Sequence, residues 1–93
     1  MQEIKSSILT NVDDFSIHEV SLERNSAIEN QCSCKQIFIY VLSGSCTIDT
    51  VYNSIKNSVV KNQSETYKIE NTVWYKIKNE SSSDCKFLIV TSR

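Results

Sequence analysis

The chain contains no proline, one glycine (Gly44) and one histidine (His18) among its 93 residues. With so little glycine, left-handed backbone in turns falls to the Asn residues, which tolerate positive φ better than other non-glycine residues. No Gly-rich loop is present to wrap phosphates, so a nucleotide diphosphate would have to be held by side chains. Uninterrupted apolar sequence reaches only Ile37 to Leu42, far short of the roughly 20 residues that cross a bilayer, so no membrane partner is expected. Neither charge sign is in excess: ten basic and eleven acidic residues leave a net charge of −1. The strongly basic face that phosphate neutralisation requires is missing, and nucleic acid is not an expected partner. Met1-Gln2-Glu3-Ile4-Lys5 shows no basic region followed by an apolar stretch, so no secretory signal is read and a cytoplasmic location is expected.

The composition, 40% apolar and 23% charged, is that of a globular chain, and this length builds one core, so residues 1–93 are expected to form a single domain. Cys32, Cys34, Cys46 and Cys85 read as free thiols, mostly buried, in a reducing compartment. The periodicity is that of strands. In 15–22, Val20 and Leu22 alternate with Glu19 and Ser21, as in a half-buried strand. Residues 36–42 are β-branched and aromatic and stop at Ser43-Gly44, which reads as a strand buried on both faces and then a turn. Residues 45–52 can return antiparallel to a turn at Asn53-Ser54. Further strands are expected over 55–60, 65–69, 73–78 and 85–91, with a surface loop at 80–84. The first dozen residues read as a short helix or an edge strand. This spacing is that of a barrel or sandwich.

Phe15-Ser16-Ile17-His18-Glu19-Val20-Ser21-Leu22-Glu23, the run Ile37 to Gly44, and Asn79 together resemble the two motifs of the cupin family. The resemblance implies an all-β fold, a single small cupin-like β-barrel (double-stranded β-helix, or jelly roll). Counted back from Gly44, the glutamate of the first motif falls at Ile37, its histidines at Ser33 and Gln31, and its first glycine at Asn25. Counted from Asn79, the histidine of the second motif falls at Tyr75, its proline at Glu70, and its glycines at Thr72 and Ser64. Leu42-Ser43-Gly44-Ser45 and Tyr67 to Trp74 are similar to segments of metal-free nucleotide-sugar 3,4-ketoisomerases, whose His-x-His pair this chain lacks. Pairing through sheets is common in the family, which implies a homodimer.

Imidazoles and a carboxylate would hold a metal in such a barrel. Here a carboxamide, a hydroxyl, an aliphatic side chain and a phenol occupy those positions, so neither metal nor any other cofactor is expected. Cys32-x-Cys34 could join Cys46 or Cys85 in a soft site, but ordinary thiols are the simpler reading. His18 reads as a partly exposed strand residue, and Glu29 and Glu70 as solvated carboxylates. The candidate ligand-binding residues of the barrel interior are Gln31, Ser33, Ile37, Tyr75 and Trp74, with Ile39 and Val41 extending the apolar wall. Two readings stay open for them: they line a pocket for a small neutral or sugar-like ligand, or they simply fill a closed barrel. Trp74 is either a stacking platform for a sugar ring or packing beside a core strand. The expected function is a non-metal, non-catalytic module that binds such a ligand or serves in assembly. The alternative is a metal-independent sugar-nucleotide isomerase or epimerase, with Tyr75 as proton donor and a carboxylate such as Glu29 as base.

Overall fold

The computed structural model describes residues 4–11, 15–32 and 35–92. Among them are nine strands: β1 (Ile4–Asn11), β2 (Phe15–Leu22), β3 (Ala27–Cys32), β4 (Ile37–Ser43), β5 (Ser45–Tyr52), β6 (Ile55–Asn62), β7 (Thr66–Ile69), β8 (Trp74–Lys78) and β9 (Cys85–Ser92). They form two antiparallel sheets, ordered β1-β2-β9-β4-β7 and β3-β8-β5-β6. The chain thus has the expected all-β jelly-roll architecture. No helix among the described residues is long and apolar enough to cross a membrane.

The N-terminal ambiguity resolves to an edge strand, β1, paired with β2 along its length. Strand β3 is not among the strands that periodicity marks, because Ala27–Cys32 alternates weakly and carries Glu29, Asn30 and Gln31. Its pairing with β8, broken between Ile28 and Gln31, supplies the backbone hydrogen bonds that its side chains do not advertise.

Alternate residues of each strand enter one core between the sheets. Val20, Leu22, Ile39, Val41 and Phe87 come from the five-stranded sheet, and Cys46, Ile48 and Ile77 from the four-stranded one. The expectation that β4 is buried on both faces is not met. Ile37, Ile39 and Val41 are buried, whereas Phe38 is 44% and Tyr40 37% exposed. A run of apolar residues looks the same in sequence whether or not a second layer exists to cover it, and no described segment of this chain lies over that face.

The turns follow one rule. Asn25, Ser64 and Thr72 each have positive φ (63°, 70° and 66°), and each is the third residue of a four-residue turn closed by a backbone hydrogen bond. With Gly44, these are the positions at which the motif register calls for glycine. Asn53 and Ser54 both have positive φ in the two-residue loop joining β5 to β6, as a type I′ hairpin requires. The work expected of Asn is therefore shared with Ser and Thr. Gly44, at φ 76°, has a further constraint: a Cβ there would lie 2.6 Å from the Asp84 carbonyl oxygen and 3.1 Å from the Cys85 Cα.

One end of the barrel is closed by Asn79, which is fully buried. Its Nδ2 donates to the carbonyls of Leu22 (3.0 Å) and Ser83 (2.8 Å), and its Oδ1 accepts from the Ser81 amide (3.0 Å) and hydroxyl (2.6 Å). Its backbone is tied to Asn25 and Ser26. One side chain thereby joins the ends of β2, β8 and the loop before β9.

Candidate functional site

At the opposite end the two sheets present unlike rows. Cross-strand partners share a face, so the register places Gln31, Tyr75, Thr50 and Asn57 side by side across β3, β8, β5 and β6. Facing them, Ile37 and Ile69 are paired neighbours on β4 and β7. One wall of the mouth is therefore neutral and hydrogen-bonding, the other aliphatic. Tyr75 (8% exposed) and Thr50 (7%) are buried, while Gln31 sits exposed at the rim. Burial pushes the Tyr75 phenol above its ordinary value, with a further contribution from nearby Cys32. At neutral pH it is an uncharged hydrogen-bonding group.

From Leu22 and Asn79 to Ile37 and Tyr75 the inward side chains are buried, and an open space lies to one side. A cavity of about 560 Å³ opens between β5–β6 and β7 with its following turn, lined by Thr50, Tyr52, Asn57 and residues 67–73, Lys68 among them. Lys61 Nζ lies 5.6 Å from the Tyr67 ring centroid, a cation–π contact that braces the ring. Glu70, at the rim, is engaged by Lys68 (3.1 Å) and by Gln36 Nε2 (2.9 Å). The Lys68 hydrogen bond, helped by Gln36, holds its carboxyl below the usual carboxylate range. Thr72 stands at positive φ on the cavity wall.

Of the residues singled out in the sequence, the structure brings Gln31 and Tyr75 together as direct partners and sets Ile37 in the facing wall. Ser33 lies outside the described residues. Trp74 is not interior: strand alternation turns it to the outer face, where it is 52% exposed beside Cys32 and Val51. There it borders a shallow groove of about 320 Å³ that Asp49, Val51, Lys56, Ser58 and Lys76 line together with Thr50, Asn57 and Tyr75. Glu29 pairs with Lys76 at 3.5 Å on that outer face, so it does not share the interior with Tyr75. His18 is half-buried, and its register row with Ile89 and Ile39 turns it between the sheets. Among the described residues no group of three or more His, Cys, Asp or Glu side chains converges as a metal site would require.

Thr50, Asn57 and Tyr67 were missed in the sequence. Thr50 and Asn57 continue the row begun by Gln31 and Tyr75, and their only signal was the β5–β6 hairpin register, which sets them opposite each other.

No protein-family model matches the sequence, and no curated protein matches it. Solved structures do match in fold. The cupin domain of Schizosaccharomyces pombe Cnp3 superposes with a TM-score of 0.86 at 13% identity, over 99% of this chain and 66% of that one. An RmlC-like cupin family protein with a double-stranded β-helix fold from Methanocaldococcus jannaschii gives 0.79 at 15% identity, over 99% and 80%. The Lactobacillus farciminis oxalate decarboxylase gives 0.88 at 14% identity, over 100% of this chain but 30% of that enzyme. The fold is that of a cupin domain.

Proposed function

We propose that this cupin-fold chain is a non-catalytic binding module that takes a small neutral or sugar-like ligand in the cavity between β5–β6 and β7. The fold hosts an enzyme as well as other domains, so activity has to be argued from the site. The observation that carries the reading is the pairing of volume with lining. About 560 Å³ lies within the range of small-molecule pockets, and Thr50, Asn57 and Tyr67 offer neutral donors and acceptors against the Ile69 wall. The one carboxylate there, Glu70, is already neutralised by Lys68, so the cavity offers no free charge to an ionic ligand. The isomerase alternative has less support, because Tyr75 and Glu29 lie on opposite faces of their sheet.

Neutral mono- and disaccharides titrated into isotope-labelled protein should shift the backbone amide signals of Thr50, Asn57 and residues 67–73. Asn57→Ala should weaken that binding about tenfold, equivalent to ~1.4 kcal/mol. Shifts confined to the outer groove around Trp74, or none with any sugar, would overturn the reading.

A second role, homodimer formation, is favoured by the uncovered face of the five-stranded sheet. Register places Ile17, Val90 and Phe38 beside Lys68 in one row and Leu88 and Tyr40 between Glu19 and Thr66 in the next, an apolar patch with a polar rim of the kind that marks interaction sites. A second copy would cover it with the same rows. Sedimentation should show a dimer that Phe38→Lys converts to monomer; a monomeric parent chain would exclude this role.

A further inference from the structure

Cys46 on β5 and Cys85 on β9 belong to different sheets, yet both point inward and both are buried as free thiols in the common core. The close approach of Gly44 to the Cys85 backbone brings the start of β5 against the start of β9. The two thiols are near enough to perturb each other's ionisation. Nothing in the ligand-binding reading uses them, and apolar packing alone does not call for two sulfurs so near each other. We propose that Cys46 and Cys85 are an oxidisable pair, converted by a peroxide-class oxidant into a disulfide that staples the two sheets at the closed end of the barrel.

The Cys46 side chain lowers the Cys85 thiol below its ordinary value, whereas that same proximity and burial raise Cys46. Cys85 is therefore the sulfur that ionises first and attacks. Its thiolate displaces hydroxide from hydrogen peroxide and becomes a sulfenic acid. The Cys46 sulfur then displaces water from that sulfenic acid, its proton leaving with the departing oxygen. In sum, two thiols and one peroxide give one disulfide and two waters; the sulfurs lose two electrons and the peroxide gains them. The loop before β9, residues 80–84, is largely exposed and runs directly into Cys85, which brings solvent to the chain segment beside the pair. Because the staple joins residues far apart in the chain, it restricts the unfolded ensemble and raises stability.

The test treats the full chain and the Cys32→Ser/Cys34→Ser variant with hydrogen peroxide, followed by intact mass measurement, thiol counting in denaturant and peptide mapping. The expected result is a loss of two hydrogens per chain, no titratable thiol in the variant, a Cys46–Cys85 cross-linked peptide in both proteins, and a higher unfolding midpoint that dithiothreitol reverses. Addition of oxygen atoms without loss of hydrogens would overturn the proposal. So would unreacted thiols at 46 and 85, or a cross-link in the full chain that joins Cys32 to Cys34 alone. If the variant does not fold, the peptide map of the full chain decides.

Discussion

The two ends of the barrel solve opposite problems with the same strands. At the closed end Asn79, Leu22, Cys46 and Cys85 are buried, and every polar group of Asn79 has a partner. At the mouth, neutral side chains stand in a row with space beside them, and a threonine holds a backbone conformation better suited to glycine. Tight satisfaction at one end fixes the frame, and loose packing at the other leaves room for a ligand. Substitutions at the two ends should therefore change stability in opposite directions.

The largest effect is expected at Asn79. Asn79→Ala would strand the buried Leu22 carbonyl and the Ser81 amide, and urea unfolding should show a loss of about 3 kcal/mol. Gly44→Ala follows at about 2 kcal/mol, combining positive φ with contact against a backbone oxygen that cannot swing away. At the mouth the sign reverses. Thr72→Gly relieves a β-branched residue at φ 66° and should stabilise by about 0.5–1 kcal/mol, after allowing for the greater freedom of glycine in the unfolded chain. If it destabilises instead, the contrast between the ends fails. The smallest effect lies on the outer face. Asp49 accepts from Ser58 Oγ (2.7 Å) and pairs with Lys78 (3.0 Å), and these contacts, Ser58 first, lower its carboxyl from 3.8. Its stabilisation is present above pH 3.8 and is lost as the pH falls from there through the lower folded value. Solvent screening limits it to about 0.3 kcal/mol. Asp49→Asn should remove that part of the acid dependence and leave the midpoint at neutral pH nearly unchanged.

Much of the frame was legible in the sequence. Counting from Gly44 and Asn79 located Asn25, Ser64 and Thr72 as glycine-type positions, and all three have positive φ, although none is glycine. Spacing survives substitution because turn geometry is set by the strands on either side, while the residue in the turn only has to tolerate it. The strand edges came from alternation and turn residues, which are local signals. The cavity was not legible. The same count put Ile37 and Tyr75 at the centre of a site, but both are packed into the core, and the open volume lies beside them at Thr50, Asn57 and Tyr67. Periodicity tells which face a side chain takes. How far facing side chains reach toward each other depends on all the strands together. Likewise, no local signal could show that Phe38 and Tyr40 would lack a covering layer.

The place of β9 in its sheet has a consequence for how the chain comes to fold. It lies between β2 and β4, hydrogen-bonded to both, yet in sequence order it follows the other eight described strands. During synthesis β2 and β4 therefore emerge with their shared neighbour still unmade, and the five-stranded sheet remains in pieces until Cys85–Ser92 is available. The hairpin β5–β6, joined by two residues, can form early, but pairing β2 with β9 means closing a very long loop, which is slow. Until then the facing edges of β2 and β4 are unpaired, and unpaired strand edges are where a folding chain associates with others.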